Sequence, residues 1–288
     1  MRRFALFIVC LTVIVVLGVS LPRSHRYSHF VVAAQQSANW HNGECEDKGN
    51  HWGEVHVCQM RRTTFTLPSG HITLNTMNGG IDITGEDRFD VALEARVQAW
   101  APSESEANDL LNQIVIDTDS GDIRDHGPHA HFFNRTGYSI DYHLHVPRHL
   151  AADLHTMNGG IDLTRLDGDL HFRTTNGGVS LDRLSGDVRG ETVNGGLNIS
   201  LAGERWQGQG LHAETTNGGV DLRVPENYSA HLETGTVNGG IEVNFPITIQ
   251  GEIKNRLNTD LGTGGPTIHA QTVNGGVTIS HNNSSSAD

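Results

Sequence analysis

Aromatic residues are scarce in this 288-residue chain, at 6%, and there are only three cysteines. So few rings exclude a thick core built on large side chains, so the interior must be aliphatic and thin, as between stacked short strands. Positive charge is also short: 20 Lys and Arg against 33 Asp and Glu leave a net charge of −13. There is no basic stripe, which argues against nucleic acid as a partner, because phosphate contacts need clustered Lys and Arg. Signatures of catalysis are missing too. There is no Gly-x-Ser-x-Gly elbow, and no glycine-rich loop runs into Lys-Ser/Thr and a helix. Hydrophobic residues are 36%, a low figure that becomes ordinary for a globular protein once the 34 glycines are added.

Against these absences stands one abundant feature. The pattern Thr-x-Asn-Gly-Gly, an aliphatic residue, a mostly polar residue and another aliphatic one occurs seven times, centred on Asn78, Asn158, Asn176, Asn194, Asn217, Asn238 and Asn274. The steps from Asn158 onward are 18 (176 − 158), 18 (194 − 176), 23 (217 − 194), 21 (238 − 217) and 36 (274 − 238). Within a regular step a half-repeat is visible: Gly160-Ile161-Asp162-Leu163 is followed by Gly168-Asp169-Leu170-His171-Phe172. Both halves alternate apolar and polar residues, the period of half-buried strands. Each unit is therefore two short strands and two turns, the signature of a repeat architecture.

Strand parity assigns faces. Leu170, Phe172, Thr174 and Asn176 share one face, and His171, Arg173 and Thr175 the other. The same register recurs in the other copies, so Thr and Asn are expected at an inner corner, with the asparagine amides stacked and hydrogen-bonded. The two glycines are expected to supply positive φ. Seven near-identical loops read as structural corners rather than as seven catalytic sites.

Taken in order, residues 1–20 form a signal peptide or an N-terminal membrane anchor, with Arg2 and Arg3 ahead of the apolar run from Phe4 to Val19. Removing the segment would take the net charge from −13 to −15, since it carries those two arginines and no acid. Residues 21–62 read as a polar linker holding Cys45 and Cys58, a pair suited to a disulfide in an oxidising compartment. A zinc site from these cysteines with His51 and His56 fits no compact spacing. Residues 63–150 read as an N-terminal β cap with strands at Phe65–Leu74, Phe89–Trp100, Ile114–Thr118 and Tyr138–Val146. One helix lies near 103–114, opened by the capping box Ser103-Glu104-Ser105-Glu106. The pairs His129/His131 and His143/His145 each project to one side of a strand and read as solvent-facing. Residues 151–281 are the repeat array, with excursions around Trp206 and from Phe245 to Pro266. Residues 282–288 read as a disordered tail.

The repeated Thr-x-Asn-Gly-Gly, the Gly-Asp-[Leu/Val] half-repeats and the export segment resemble the bacterial putative-adhesin family of exported β-strand-repeat proteins, over about Thr63 to Ser280. The resemblance implies a repetitive β architecture on an envelope protein and carries no catalytic residues. The Cys45–Cys58 loop and His-rich linker lie outside its pattern.

The expected fold is all-β, a β-solenoid with Asn-Gly-Gly corners, with an antiparallel meander as the alternative because Asn-Gly also favours hairpins. The expected function is a non-enzymatic exported adhesin or interaction scaffold of the periplasm or cell surface. The alternative is a polysaccharide-binding or polysaccharide-active β-helix protein, its site near Trp206 and Phe245. No catalytic residue, cofactor or metal ligand is assigned. Partners are expected among envelope proteins or extracellular polysaccharides, with a membrane contact only through an uncleaved N-terminal segment.

Overall fold

The computed structural model describes residue 45 and residues 53–128, 135–246 and 255–282. Residues 1–20, His51, His129, His131 and the residues after Asn282 lie outside these ranges. Among the described residues no helix is long and apolar enough to cross a membrane.

The described residues run through β1 (Val55–Thr66), β2 (His71–Asn78), β3 (Ile81–Glu86) and β4 (Asp90–Ala101), then the helix α1 (Glu104–Gln113). It continues through β5 (Val115–Asp119), β6 (Asp122–His126) and β7 (Gly137–Pro147). Four successive coils follow, each a longer strand, a corner and a shorter strand: β8 (Ala151–Asn158) with β9 (Ile161–Thr164), β10 (Asp167–Asn176) with β11 (Val179–Asp182), β12 (Ser185–Asn194) with β13 (Leu197–Ser200), and β14 (Gly210–Asn217) with β15 (Val220–Val224). The chain closes with β16 (Ala230–Asn238), β17 (Ile241–Val243), β18 (Arg256–Leu261), β19 (Thr267–Asn274) and β20 (Val277–His281).

The coils stack in parallel register and build two ten-stranded sheets, so the fold is a β-solenoid and not a meander. One sheet runs β18-β16-β19-β14-β12-β10-β8-β2-β6-β5 and the other β1-β4-β7-β3-β9-β11-β13-β15-β20-β17. Alternation explains the burial. In β10 the residues Leu170, Phe172 and Thr174 are buried while Asp169, His171 and Arg173 are exposed. Their inward faces meet the pairs Val179/Leu181 and Leu197/Ile199 of the shorter strands in one aliphatic cluster. Each such side chain contributes about 1.5–3 kcal/mol of burial free energy. Large and small residues are matched between rungs: Phe172 lies over Gly190, where an added Cβ would come within 2.4 Å of the Phe172 ring.

The first motif copy is not set apart in a cap. Its β2 pairs in register with β8 and its β3 with β9. The segment between them supplies the end of the stack, where β4 lies antiparallel to β1 and β7, and β5 antiparallel to β6. β1 begins at Val55, inside what the sequence presents as linker. The single strand expected over Phe65–Leu74 is two strands, because Pro68-Ser69-Gly70 turns the chain, with Gly70 at φ 61° and its N–H donating to Leu67 O. The helix forms as its capping box predicts, with Ser103 Oγ accepting from Glu106 N–H at 3.3 Å. Arg61 of β1 closes its other end, donating to Leu111 O at 2.8 Å and to Ile114 O at 2.5 Å. Across the sheets, Tyr138 and Tyr142 of β7 donate to Asp125 of β6. Burial, then Asp125, pushes the Tyr138 phenol up to about 12.

The coils do not stack in chain order. The seventh copy, β19 and β20, sits between the fifth and the sixth: β19 pairs with both β14 and β16, and β20 with both β15 and β17. Its end is tied down by Asn282, whose side chain donates to Leu201 O at 2.7 Å.

Candidate functional site along the corner ridge

The corner begins at the threonine. Its methyl suits the aliphatic interior, and all seven motif threonines are buried, at 5% exposure or less. The single hydroxyl donor is used once: Thr156, Thr174, Thr192, Thr215, Thr272 and Thr236 donate at 2.7–2.9 Å to the first-glycine carbonyl of the neighbouring coil.

The asparagines depart from the inward placement that parity suggests. Asn78 is half-buried and the other six are exposed. The strand ends at this residue, and the turn into Gly-Gly swings the side chain to the rim. A primary amide carries two donors and an acceptor, and a rim position lets water complete what a buried one would leave unpaired. The amides do stack. Nδ2 of Asn158 donates to Oδ1 of Asn78, and Asn176 to Asn158, Asn194 to Asn176, Asn217 to Asn194, Asn274 to Asn217 and Asn238 to Asn274, all at 2.7–2.9 Å.

The glycines also need a different account. Among the corner glycines only Gly79 and Gly218 have positive φ. What forces the first glycine is close stacking: a Cβ on Gly159, Gly177, Gly195 or Gly239 would lie 1.9–2.0 Å from the carbonyl oxygen of the adjoining corner.

Beside the amide ladder runs the residue that precedes each asparagine. In spatial order these are Met77, Met157, Thr175, Val193, Thr216, Val273 and Val237. Met77 is 61% exposed, Met157 44%, Val273 41% and Val237 64%. Six steps of about 4.8 Å make this row roughly 29 Å long.

The outer face of the same sheet carries a network of histidines and acids. His231 Nδ1 lies 2.7 Å from Asp260 Oδ1, and its Nε2 3.4 Å from Glu233 Oε1. Glu233 Oε2 is 3.3 Å from His269 Nδ1. The hydrogen bond from His269 holds the Glu233 carboxyl below its ordinary range. His212 and His269 stack, ring centres 4.3 Å apart, with Glu214 beside both. On the opposite sheet His143 and His145 pair with Asp82 and Glu86. The Asp82 hydrogen bond raises the His143 pKa against the opposing effect of burial.

Cys45 and Cys58 are joined in a disulfide, and His56 stacks on Trp100. Trp206, around which a sugar-active site was conceivable, is instead buried, its Nε1–H donating to Gly186 O at 3.0 Å. The His212–Glu214–His269 grouping escaped sequence reasoning. Its signal was present: both histidines stand five residues before their motif asparagine (217 − 212 and 274 − 269). The sequence spacing, however, suggests that the fifth copy adjoins the sixth.

No curated protein matches the chain. Among solved structures, a putative cell adhesion protein from Clostridium sporogenes ATCC 15579 is 13% identical, covering 78% of this chain and 100% of that one at a TM-score of 0.35. A putative adhesin from Bacteroides fragilis NCTC 9343 is 12% identical, covering 78% and 97% at a TM-score of 0.35. A putative lipid binding protein from Parabacteroides distasonis ATCC 8503 is 9% identical, covering 82% and 98% at a TM-score of 0.29. The family model described as Toastrack DUF4097 matches residues 30–280, and the chain belongs to that family.

Proposed function

We propose that the chain is a non-enzymatic exported scaffold of the cell envelope or surface that binds a partner along its corner ridge. The observation that carries this reading is the row from Met77 to Val237, which sets two pairs of exposed apolar side chains, Met77/Met157 and Val273/Val237, at its ends along the rim of a sheet, with Thr175, Val193 and Thr216 between them. Such rows are uncommon on a surface that meets only water. The asparagine ladder fixes the spacing of the row, so a rigid partner meets preorganised contacts and little is lost in ordering them. A disulfide between Cys45 and Cys58 supports an oxidising location.

Polysaccharide binding has one feature in its favour, a polar cleft of about 1150 Å³ lined by Arg183, Ser200, Arg223, Glu226, His281 and Asn282 among others. Among the described residues its lining holds no Trp, Tyr or Phe, and Phe245 already stacks on the lining His281 with ring centres 4.0 Å apart, so the ridge is the stronger candidate.

Protease shaving of intact cells, with a membrane-ruptured control, tests the location. Cleavage after Thr63 on intact cells supports a surface scaffold, and protection until rupture sinks that location in favour of the periplasm. Met157→Lys with Val237→Lys tests the ridge. The pair is expected to leave the melting temperature within a few degrees and to abolish attachment to cells or matrix. Unchanged attachment would remove the ridge from the proposal, and loss on Arg223→Ala instead would move the site to the cleft.

A further inference from the structure

We infer that His212, Glu214 and His269 form a binding site for a divalent transition metal ion of the zinc class, linking the inserted seventh coil to the fifth. His212 and Glu214 project from the same face of β14, and His269 stands directly opposite His212 on β19. Glu214 Oε1 lies 3.3 Å from His212 Nε2 and 3.4 Å from His269 Nε2. The three donor atoms all fall within 4.8 Å of one another. Zinc–nitrogen and zinc–oxygen bonds near 2.0–2.2 Å at tetrahedral angles put ligand atoms about 3.3 Å apart, so the carboxylate is already spaced for a shared ion.

The second observation is the surroundings of His269. Its Nδ1 faces Glu233 Oε2 at 3.3 Å, and the tautomer that donates to this carboxylate leaves Nε2 as the ligand atom. Its Nε2 is buried and makes no hydrogen bond, although the Glu214 oxygen lies 3.4 Å away. A carboxylate behind a ligating imidazole is the usual outer support of a zinc histidine. Gln271 Nε2 donates to Glu214 Oε1 at 2.5 Å and orients the carboxylate from the same strand as His269. Two imidazoles with one carboxylate favour zinc, copper or nickel over magnesium or calcium. Three protein ligands leave a fourth position to solvent.

The test is calorimetric titration of the purified, disulfide-intact chain with zinc ion alone, with cobalt as a spectroscopic probe. Because other histidines bind metal weakly, the comparison is between variants. One equivalent with a tetrahedral cobalt spectrum is expected in the parent chain and in the control His51→Ala/His56→Ala. His212→Gln/His269→Gln and Glu214→Gln should weaken that equivalent at least tenfold and abolish the spectrum, with unchanged circular dichroism showing that they fold. Glu233→Gln, a positioning change, should weaken it 10–100-fold with the spectrum intact. Retention of the equivalent in His212→Gln/His269→Gln overturns the assignment. So does its loss in the His51/His56 control, or equal binding of magnesium.

Discussion

A methyl group added to Gly177 would set a carbon 2.0 Å from the Gly159 carbonyl oxygen, whereas the same methyl on Gly178 would lie 3.5 Å from the Gly196 oxygen. The first distance is impossible without prising two coils apart, and the second is ordinary contact. Neither glycine has positive φ, so backbone freedom does not separate them. Gly177→Ala is therefore expected to destabilise by about 3 kcal/mol or more, the upper range of overpacking. Gly178→Ala should be neutral, or stabilising by up to about 1 kcal/mol through the unfolded chain. Denaturant unfolding of the two variants decides it, and equal losses would mean that conformation rather than stacking distance selects both glycines. At this scale threonine was legible from sequence, because a buried β-branched residue in an unbroken apolar stripe has one consistent place. Asparagine was not, because parity stops where the strand does, and the amide's surplus donors draw it to the rim.

The helix shows how one element depends on a side chain far away in sequence. No basic residue stands in the last turn of α1, so its terminal carbonyls have no local cation. Arg61 supplies one from the neighbouring strand, bonding Leu111 O and Ile114 O, which suits the negative end of the helix. Burial lowers the Arg61 pKa, yet a guanidinium stays charged. Arg61→Met should cost about 1.5–3 kcal/mol, as for a hydrogen bond to a charged group. Amide exchange over residues 104–114 should rise well above that of the repeat strands, and uniform loss of protection across the array would contradict a local role. The N-terminal start of α1 was readable from Ser103 and Glu106, since a capping box is a short-range signal. Its C-terminal partner was not readable, since nothing in 50 residues of intervening sequence points Arg61 at it. The same limit hid β1, whose alternation is weak and whose pairing with β4 is long-range.

At the scale of the whole molecule, the order of rungs matters more than their number. Seven copies of one motif present seven nearly interchangeable edges, so sequence alone favours stacking in chain order. The 36-residue step before Asn274 is the only hint otherwise, because it gives the chain enough length to travel past β16 and return. The return fills a place between β14 and β16 in one sheet and between β15 and β17 in the other. It leaves β16 paired on its outer side with the antiparallel β18, so the edge of that sheet is the six-residue β18 and not the nine-residue β16, and a shorter edge is a poorer template for further strands. The order is open to a direct test with cysteine pairs on the exposed ridge. Thr216 and Val273 stand on adjacent strands about 4.8 Å apart, within reach of a disulfide, whereas Thr216 and Val237 have a strand between them at twice that distance. Thr216→Cys/Val273→Cys should therefore cross-link within the monomer under mild oxidation, and Thr216→Cys/Val237→Cys should stay reduced while Cys45–Cys58 remains closed. The opposite pattern would mean that the coils stack in chain order, and it would also separate His212 from His269.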